Sequence, residues 1–235
     1  NSIHFEFRNE NDEDGNYATS PLLTVDNPVA LSEGMKSTSN TNRILASVYG
    51  EYHFTSDLYA RLNIGGDFVN ESRKSFISSL TKAGSNSGGI ASNQNVEKSN
   101  YLVEGTLHYD KSFGNHMIGA LAGVTYQRFV NNGLNNEASD FPNESLGANS
   151  LGIGNQETFV IGNYLTGNRL ASYIGRVNYS FNDKYLLTAT LRADGSSRFG
   201  ENNKFGYFPS AALAWKISNE DFLADLDYIN SLKLR

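Results

Sequence analysis

The fold class this sequence predicts is all-β: part of the wall of an antiparallel transmembrane barrel, in about eight strands. Three observations carry the prediction. Apolar and polar residues alternate over segments of about 9–11 residues, the length a strand needs to cross a bilayer. Short connections alternate with long ones along the chain. Aromatic residues gather near the segment ends. Alternation by itself fits a soluble sheet with one wet face as well as a membrane wall. Segment length, aromatic placement and loop parity favour the wall.

Composition sets outer bounds. The chain has 235 residues, 22 of them Gly and only 4 Pro, with 39% hydrophobic content. It contains no apolar run of about 18 residues, so no transmembrane helix is expected, although barrel strands give only a weak hydropathy signal. The absence of Cys removes disulfide scaffolds, thiolate metal sites and Cys nucleophiles. A net charge of −6 argues against a nucleic-acid partner. No basic segment followed by an apolar core opens the chain, so no signal peptide is expected within it. Asn1–Phe7 already alternates, with Ile3, Phe5 and Phe7 on one face, and Leu232–Arg235 begins a new alternation. The chain therefore reads as an internal piece of a larger protein.

Taken in order, residues 9–40 are polar and predict a long loop. Glu10, Asp12, Glu13 and Asp14 before Gly15 approach a calcium-loop register, but the twelfth position from Glu10 is Pro21 and not a bidentate Glu, which leaves a solvated loop. Residues 43–69 predict a hairpin. Ile44, Ala46, Val48, Gly50, Tyr52 and Phe54 share a face, and Leu58, Ala60, Leu62, Ile64, Gly66 and Phe68 continue it beyond the turn Thr55–Asp57. Tyr59, Arg61, Asn63 and Asp67 lie opposite. Residues 70–97 form a second loop. The hairpin over 98–129 sets Tyr101, Val103, Leu107 and Tyr109 against Leu102, Glu104, Thr106 and His108, with a turn at 110–115. Its second strand is out of phase at Met117 and Leu121. Residues 130–167 form the longest loop, and 169–193 a third hairpin around the tight turn 182–184. The segment 218–228 predicts a helical turn, with Ser218 as N-cap, Asp221 three residues on, and Phe222, Leu223 and Leu226 covering the rim.

The long loops at 9–40, 70–97, 130–167 and 194–204 share one parity, and the short turns share the other. Outer-membrane barrels have short periplasmic turns and long extracellular loops. A soluble sandwich has no reason to place every long loop at one end.

The stretch Asn168–Ile217 carries more than alternation. It reads Tyr185-Leu-Leu-Thr-Ala-Thr-Leu-Arg-Ala-Asp-Gly-Ser-Ser-Arg-Phe-Gly200, then Asn203-Lys-Phe-Gly-Tyr-Phe-Pro-Ser210, then Ala214-Trp-Lys-Ile-Ser218. This run resembles the SusC/RagA family of TonB-linked outer-membrane transporters of Bacteroidota. Fainter likeness extends through Asn27–Leu31 and Asn42–Leu45. The resemblance implies that residues 1–235 belong to the barrel domain of a TonB-dependent receptor of about 22 strands, without its plug domain. It implies energised import of a large nutrient, an oligosaccharide or peptide, across the cell outer membrane. It further implies a SusD-like surface lipoprotein over the outer loops, TonB reached through an N-terminal region outside this chain, and lipid around the wall. A passive porin and a soluble β-sandwich that binds glycans are the rival readings.

The faces give the candidate residues. Val48, Leu62, Val177, Leu187, Leu191 and Leu213 are expected to face lipid. Arg61, Asp67, Glu104, Arg176, Arg192 and Asp194 are expected to face the lumen. Arg192 and Asp194, with Arg198 beyond them, fit contact with substrate or plug, and fit better a charge network that stiffens a wide barrel. No catalytic, cofactor or metal site is expected, and no enzyme activity. His4, His53, His108 and His116 lack zinc-ligand spacing, and His53 and His108 fall on polar faces. Gly152–Glu157 lacks a dinucleotide fingerprint, the acids lie in loops, and there is no nucleophile elbow.

Overall fold

The computed structural model of the protein describes residues 26–200, 203–223 and 230–235. The strands are β1 Met35–His53, β2 Leu58–Ile77, β3 Ile90–Phe113, β4 His116–Ser139, β5 Val160–Phe181, β6 Tyr185–Ser196, β7 Phe205–Lys216 and β8 Lys233–Leu234. They make one eight-stranded antiparallel meander in which each strand pairs with its sequence neighbours. The expected start of a further strand at Leu232–Arg235 is present as β8, whose Leu234 and Lys233 pair with Trp215 and Lys216. The expected strand at Asn1–Phe7 and the acidic cluster Glu10–Asp14 lie outside the described residues.

Short turns fall where the sequence places them. Asn182 and Asp183 both adopt left-handed φ, at 54° and 53°, as the central pair of a β-turn closed by the Lys184 amide donating to the Phe181 carbonyl at 3.0 Å, within a three-residue connection between the paired Phe181 and Tyr185. The β3–β4 turn is tighter than the expected 110–115, because β3 runs on to Phe113 and Gly114 supplies a φ of 57°.

The long connections are shorter than the sequence suggests. Residues 28–34 form a helix, α1 Pro28–Gly34, capped by Asn27, whose side chain accepts from the Val29 amide at 2.8 Å. β1 then starts at Met35, within the expected loop. Loop 70–97 contracts to 78–89 around a short helix, α2 Lys82–Ser85. Loop 130–167 contracts to 140–159 and holds three single-turn 3-10 helices. The reason is that strand ladders continue where both faces are wet. Lys36-Ser-Thr-Ser-Asn-Thr41 carries no apolar period to read, yet its backbone still pairs. β3 and β4 reach 24 residues each, more than twice the about 9–11 needed to span a bilayer.

The helical turn expected over 218–228 is two 3-10 turns, Ile217–Asn219 and Asp221–Leu223. Ser218 sits inside the first instead of capping it. Glu220 between them is extended, at φ −80° and ψ 145°, and its carboxylate is held by two donors from the sheet and one from the 182–184 turn (below). Leu226 lies outside the described residues.

The chain divides into two compact units. The first takes residues up to Arg43, Val69–Lys98 and Asn131–Thr166. It has an apolar cluster of Phe76, Ala91, Ala138, Phe141 and Ala148, with the Phe76 and Phe141 rings edge-to-face at 5.8 Å. Glu144 braces the 78–89 connection by accepting from the Ser78 hydroxyl and, at 2.8 Å, the Ser79 amide. Gly84 fits only because it lacks a Cβ, which would lie 2.2 Å from the Ser78 carbonyl oxygen. The second unit, Ile44–Phe68, Ser99–Val130 and Gly167–Arg235, is built of strands and tight connections. Every buried hydrophobic side chain among the described residues belongs to the first unit.

Candidate functional site

The second unit has two faces, and strand register fixes them. Directly opposed residues share a face. Leu187 pairs with Tyr179 and Leu213, Leu191 with Gly175 and Pro209, and Ala189 with Val177 and Ala211. Val177, Leu187, Leu191 and Leu213 therefore lie on one surface. Arg176 pairs with Thr190, Ile174 with Arg192 and Ser172 with Asp194, so Arg176, Arg192 and Asp194 share the opposite surface. On β1 and β2, the Arg61 guanidinium lies 3.6 Å from Glu51 and 4.0 Å above the Tyr49 ring. That groups Arg61 with Tyr49 and Glu51, and puts Val48 and Leu62 at the alternate positions. Asp67 continues the alternate positions of Arg61 along β2.

The phase of 116–126 is settled by two glycines. A Cβ at Gly123 would meet Thr106 and Ile174, and one at Gly105 would meet Val124. Ile118, Ala120, Ala122, Val124 and Tyr126 thus share the face of Gly105, while Met117 and Leu121 go with Gly123.

All six apolar candidates are exposed, from 37% at Leu187 to 71% at Leu213. Nothing polar interrupts this surface between the aromatic ends. Near the short turns the aromatics stack: Phe181 on Tyr185 and Tyr185 on Trp215, each at 6.4 Å between centroids. His116 joins them, with its Nδ1 2.7 Å from the Tyr179 hydroxyl and its ring 4.9 Å from Phe181.

The polar face is a lattice of paired side chains. Arg192 Nε donates to both carboxylate oxygens of Asp194, at 2.7 and 2.8 Å, and its Nη2 reaches Ser172 at 3.4 Å. Arg176 donates to Thr190 at 3.1 Å, Thr188 to Asn178 at 2.9 Å and Thr125 to Glu104 at 3.3 Å. Arg198 is not part of this set: it donates to Asn168 at 3.1 Å, in the 197–204 connection. Arg192 and Arg61 are matched by the carboxylates of Asp194 and Glu51, and Arg176 and Glu104 are held by threonine hydroxyls, which suits a solvated surface that stays in place more than a reactive centre.

Two clusters escaped the sequence reading. Tyr59 is sandwiched between His53, at 5.0 Å, and His108, at 4.5 Å and 3° from parallel. The parity of those residues was legible, and counting across the 55–57 turn sets His53 opposite Tyr59. Glu220 is a hub: its carboxylate accepts from Trp215 Nε1 at 2.9 Å, Lys184 Nζ at 3.0 Å and the Tyr185 hydroxyl at 2.8 Å. Those donors hold Glu220 below the usual glutamate pKa range, Trp215 first and then Lys184 and Tyr185. Glu220, helped by Asp221, raises Lys184. Across the same rim Lys216 donates to Asp183 at 2.6 Å. At the β1–β2 turn, Lys111 donates to Asp57 at 2.7 Å and, with Ser56, lowers its pKa. No local sequence signal marks Glu220.

No protein-family model matches the chain. It is 35% identical over 223 residues to the TonB-dependent receptor P3 of Formosa agariphila, covering 94% of this chain and 22% of that protein. It is 34% identical over 224 residues to the TonB-dependent receptor SusC of Bacteroides thetaiotaomicron, again covering 94% and 22%. The chain thus spans about a fifth of the length of the curated relatives it matches. Its fold matches a chain of the RagAB peptide importer in the open-open state with a TM-score of 0.80 at 19% identity, covering 94% of this chain and 25% of that one. A second RagAB peptide transporter structure gives 0.77 at 19% identity, covering 86% and 23%.

Proposed function

The chain belongs to the SusC/RagA family of TonB-dependent receptors, outer-membrane proteins of Bacteroidota, and on that premise we propose that it forms barrel wall in an energised importer of a large nutrient. The observation that carries the reading is the inverted second unit, where the apolar residues lie outside and the paired charges lie on the other face. In water, each exposed Leu or Val would forgo about 1.5–3 kcal/mol of burial. In hydrocarbon the same surface is satisfied, provided every backbone group is paired within the wall.

In this reading Val48, Leu62, Val177, Leu187, Leu191 and Leu213 contact lipid. Arg61, Asp67, Glu104, Arg176, Arg192 and Asp194 line the lumen. The Arg192–Asp194 and Arg61–Glu51 pairs and the hydrogen bonds of Arg176 and Glu104 to threonine hydroxyls keep that lining in place. The Phe181–Tyr185–Trp215 stack lies at the periplasmic interface, where amphipathic rings are favoured. The connections of the first unit, and 197–204, face outward, where a SusD-like lipoprotein covers them. Residues 1–235 belong to the barrel domain. The moving step of transport, coupled to TonB, belongs to a plug supplied by the rest of the whole protein. The cargo is an oligosaccharide or a peptide, and the role is transport and not catalysis.

Two measurements on the whole receptor test this. A spin label at Leu62 or Leu191 should be quenched by a lipid-soluble agent and spared by a water-soluble one; the reverse would invert the faces. Uptake of the cognate nutrient should stop when TonB is deleted, and uptake that persists would make the protein a passive pore.

A further inference from the structure

β5 is paired unevenly on its two sides. Toward β4 the pairing is continuous. A Cβ at Gly119, Gly123 or Gly133 would meet Asn178, Ile174 or Tyr164 in turn. These contacts advance by equal steps on the two strands, so no bulge intervenes. Toward β6 the pairing covers only Leu170–Phe181. It ends at Arg169 and Ser197: the Ser197 amide donates to the Arg169 carbonyl at 3.0 Å, and the Arg169 amide to the Ser197 hydroxyl at 2.9 Å. Backbone groups alternate between the two edges of an antiparallel strand. Counting back in twos from Arg169, the amides and carbonyls of Leu165, Asn163 and Ile161 point to that same edge. Among the described residues no strand pairs with them there.

This free edge lacks the usual guards. Sheet edges open to water are normally blunted by charged side chains, Pro or a bulge. Val160-Ile-Gly-Asn-Tyr-Leu-Thr166 has no charge and no Pro. It belongs to the first unit, whose apolar core is buried as in water. Yet Val160, Ile161 and Leu165 are 55%, 75% and 73% exposed. A row of unpaired N–H and C=O groups is complementary to another extended backbone, and alternate apolar side chains add grip to such a contact. Tyr164, at Gly133, has the phase of Ile174, so Ile161 and Leu165 have the phase of Gly175 and Val177.

We propose that Val160–Thr166 is a docking edge to which the SusD-like lipoprotein adds a strand, through the extended segment that joins its lipid anchor to its folded body. The inference rests on the import reading for the identity of this partner. In that reading the phase of Val177 is the outer one, so the occupant arrives from outside the wall. A protein tethered in the outer leaflet does so, and cargo in the lumen does not.

The test uses the whole receptor in detergent, its lipoprotein, and a synthetic peptide of that tether. Hydrogen exchange should be fast over 160–166 in the receptor alone and slow in the complex, and the peptide by itself should reproduce the protection. Asn163→Pro removes an amide from the free edge and leaves pairing with β4 intact, and it should weaken the complex by on the order of tenfold. Asn163→Thr keeps the amide and should bind as the native receptor does. Heat-modifiable gel mobility checks that each variant is folded. Protection already present in the isolated receptor would assign the edge to the receptor's own chain or to a second copy, and would overturn the proposal. So would protection by cargo without the lipoprotein, a complex in which 160–166 still exchanges, or undiminished binding by Asn163→Pro. Uptake separates this inference from the reading it rests on: any of these failures beside intact TonB-dependent uptake removes the docking edge and leaves the importer.

Discussion

The two units of this chain solve opposite problems with the same strands. The first keeps Phe76, Ala91, Ala138, Phe141 and Ala148 out of water, as any water-soluble domain does. The second puts Leu213, Val48 and Leu191 outside at 71%, 67% and 54% exposure and sets its charged side chains on the other face. A single strand such as β2 carries both patterns: Leu62 is exposed toward its start and Phe76 is buried toward its end. The solvent around each part decides which face is apolar, and pairing of the backbone continues regardless.

The largest expected effect tests the first unit. Phe76→Ala should remove about 3–5 kcal/mol of local stability, the usual cost of emptying an aromatic core site. Hydrogen exchange should show lost protection in 141–159 with β6 unaffected. Equal loss in β6 would mean that the units do not behave separately. Next, Leu191→Lys should cost about 2–4 kcal/mol if that position lies at the bilayer midplane, measured by guanidinium unfolding in lipid. Thr190→Lys, one residue along and on the other face, should cost far less. A larger penalty at Thr190 would exchange the lipid and lumen faces.

A smaller effect is expected at the rim. Glu220 has a depressed pKa, so its stabilising contribution is present above the ordinary glutamate pKa and is lost as pH falls through its lowered folded value. Lys184 has a raised pKa, so its contribution is present below the ordinary lysine pKa and is lost as pH rises through its folded value. The chain has one Trp, and its indole donates to Glu220, so Trp215 fluorescence in a protein of this sequence reports the acid transition. That transition should be absent in Glu220→Gln. Its persistence there would place the proton elsewhere. The smallest effect is expected for Arg192→Ala. Its pair with Asp194 is half exposed, at 50% and 36% for the two side chains, and solvated pairs contribute about 0–1 kcal/mol. A loss well above that range by the same unfolding measurement would mean the lumen lattice bears stability as well as placement.

The sequence by itself determined which residues share a face, where the short turns fall, and the family. Alternation has a period of two residues and is written wherever one face meets an apolar surroundings, so Leu187, Leu191 and Leu213 could be grouped from their spacing alone. The turn at Asn182–Asp183 could be placed because those residue types tolerate left-handed backbone. The tertiary structure alone decided where the strands end and what closes the long connections. Segments such as 35–41 and 131–139 are polar on both sides, so no period betrays the ladder they form. The core of the first unit draws Phe76, Ala91, Ala138 and Phe141 from three strands and a loop, and the Glu220 hub draws Lys184 and Tyr185 from across a hairpin. Such contacts join residues far apart in the chain, and their stability comes from burial and hydrogen bonds that exist only once the strands have paired.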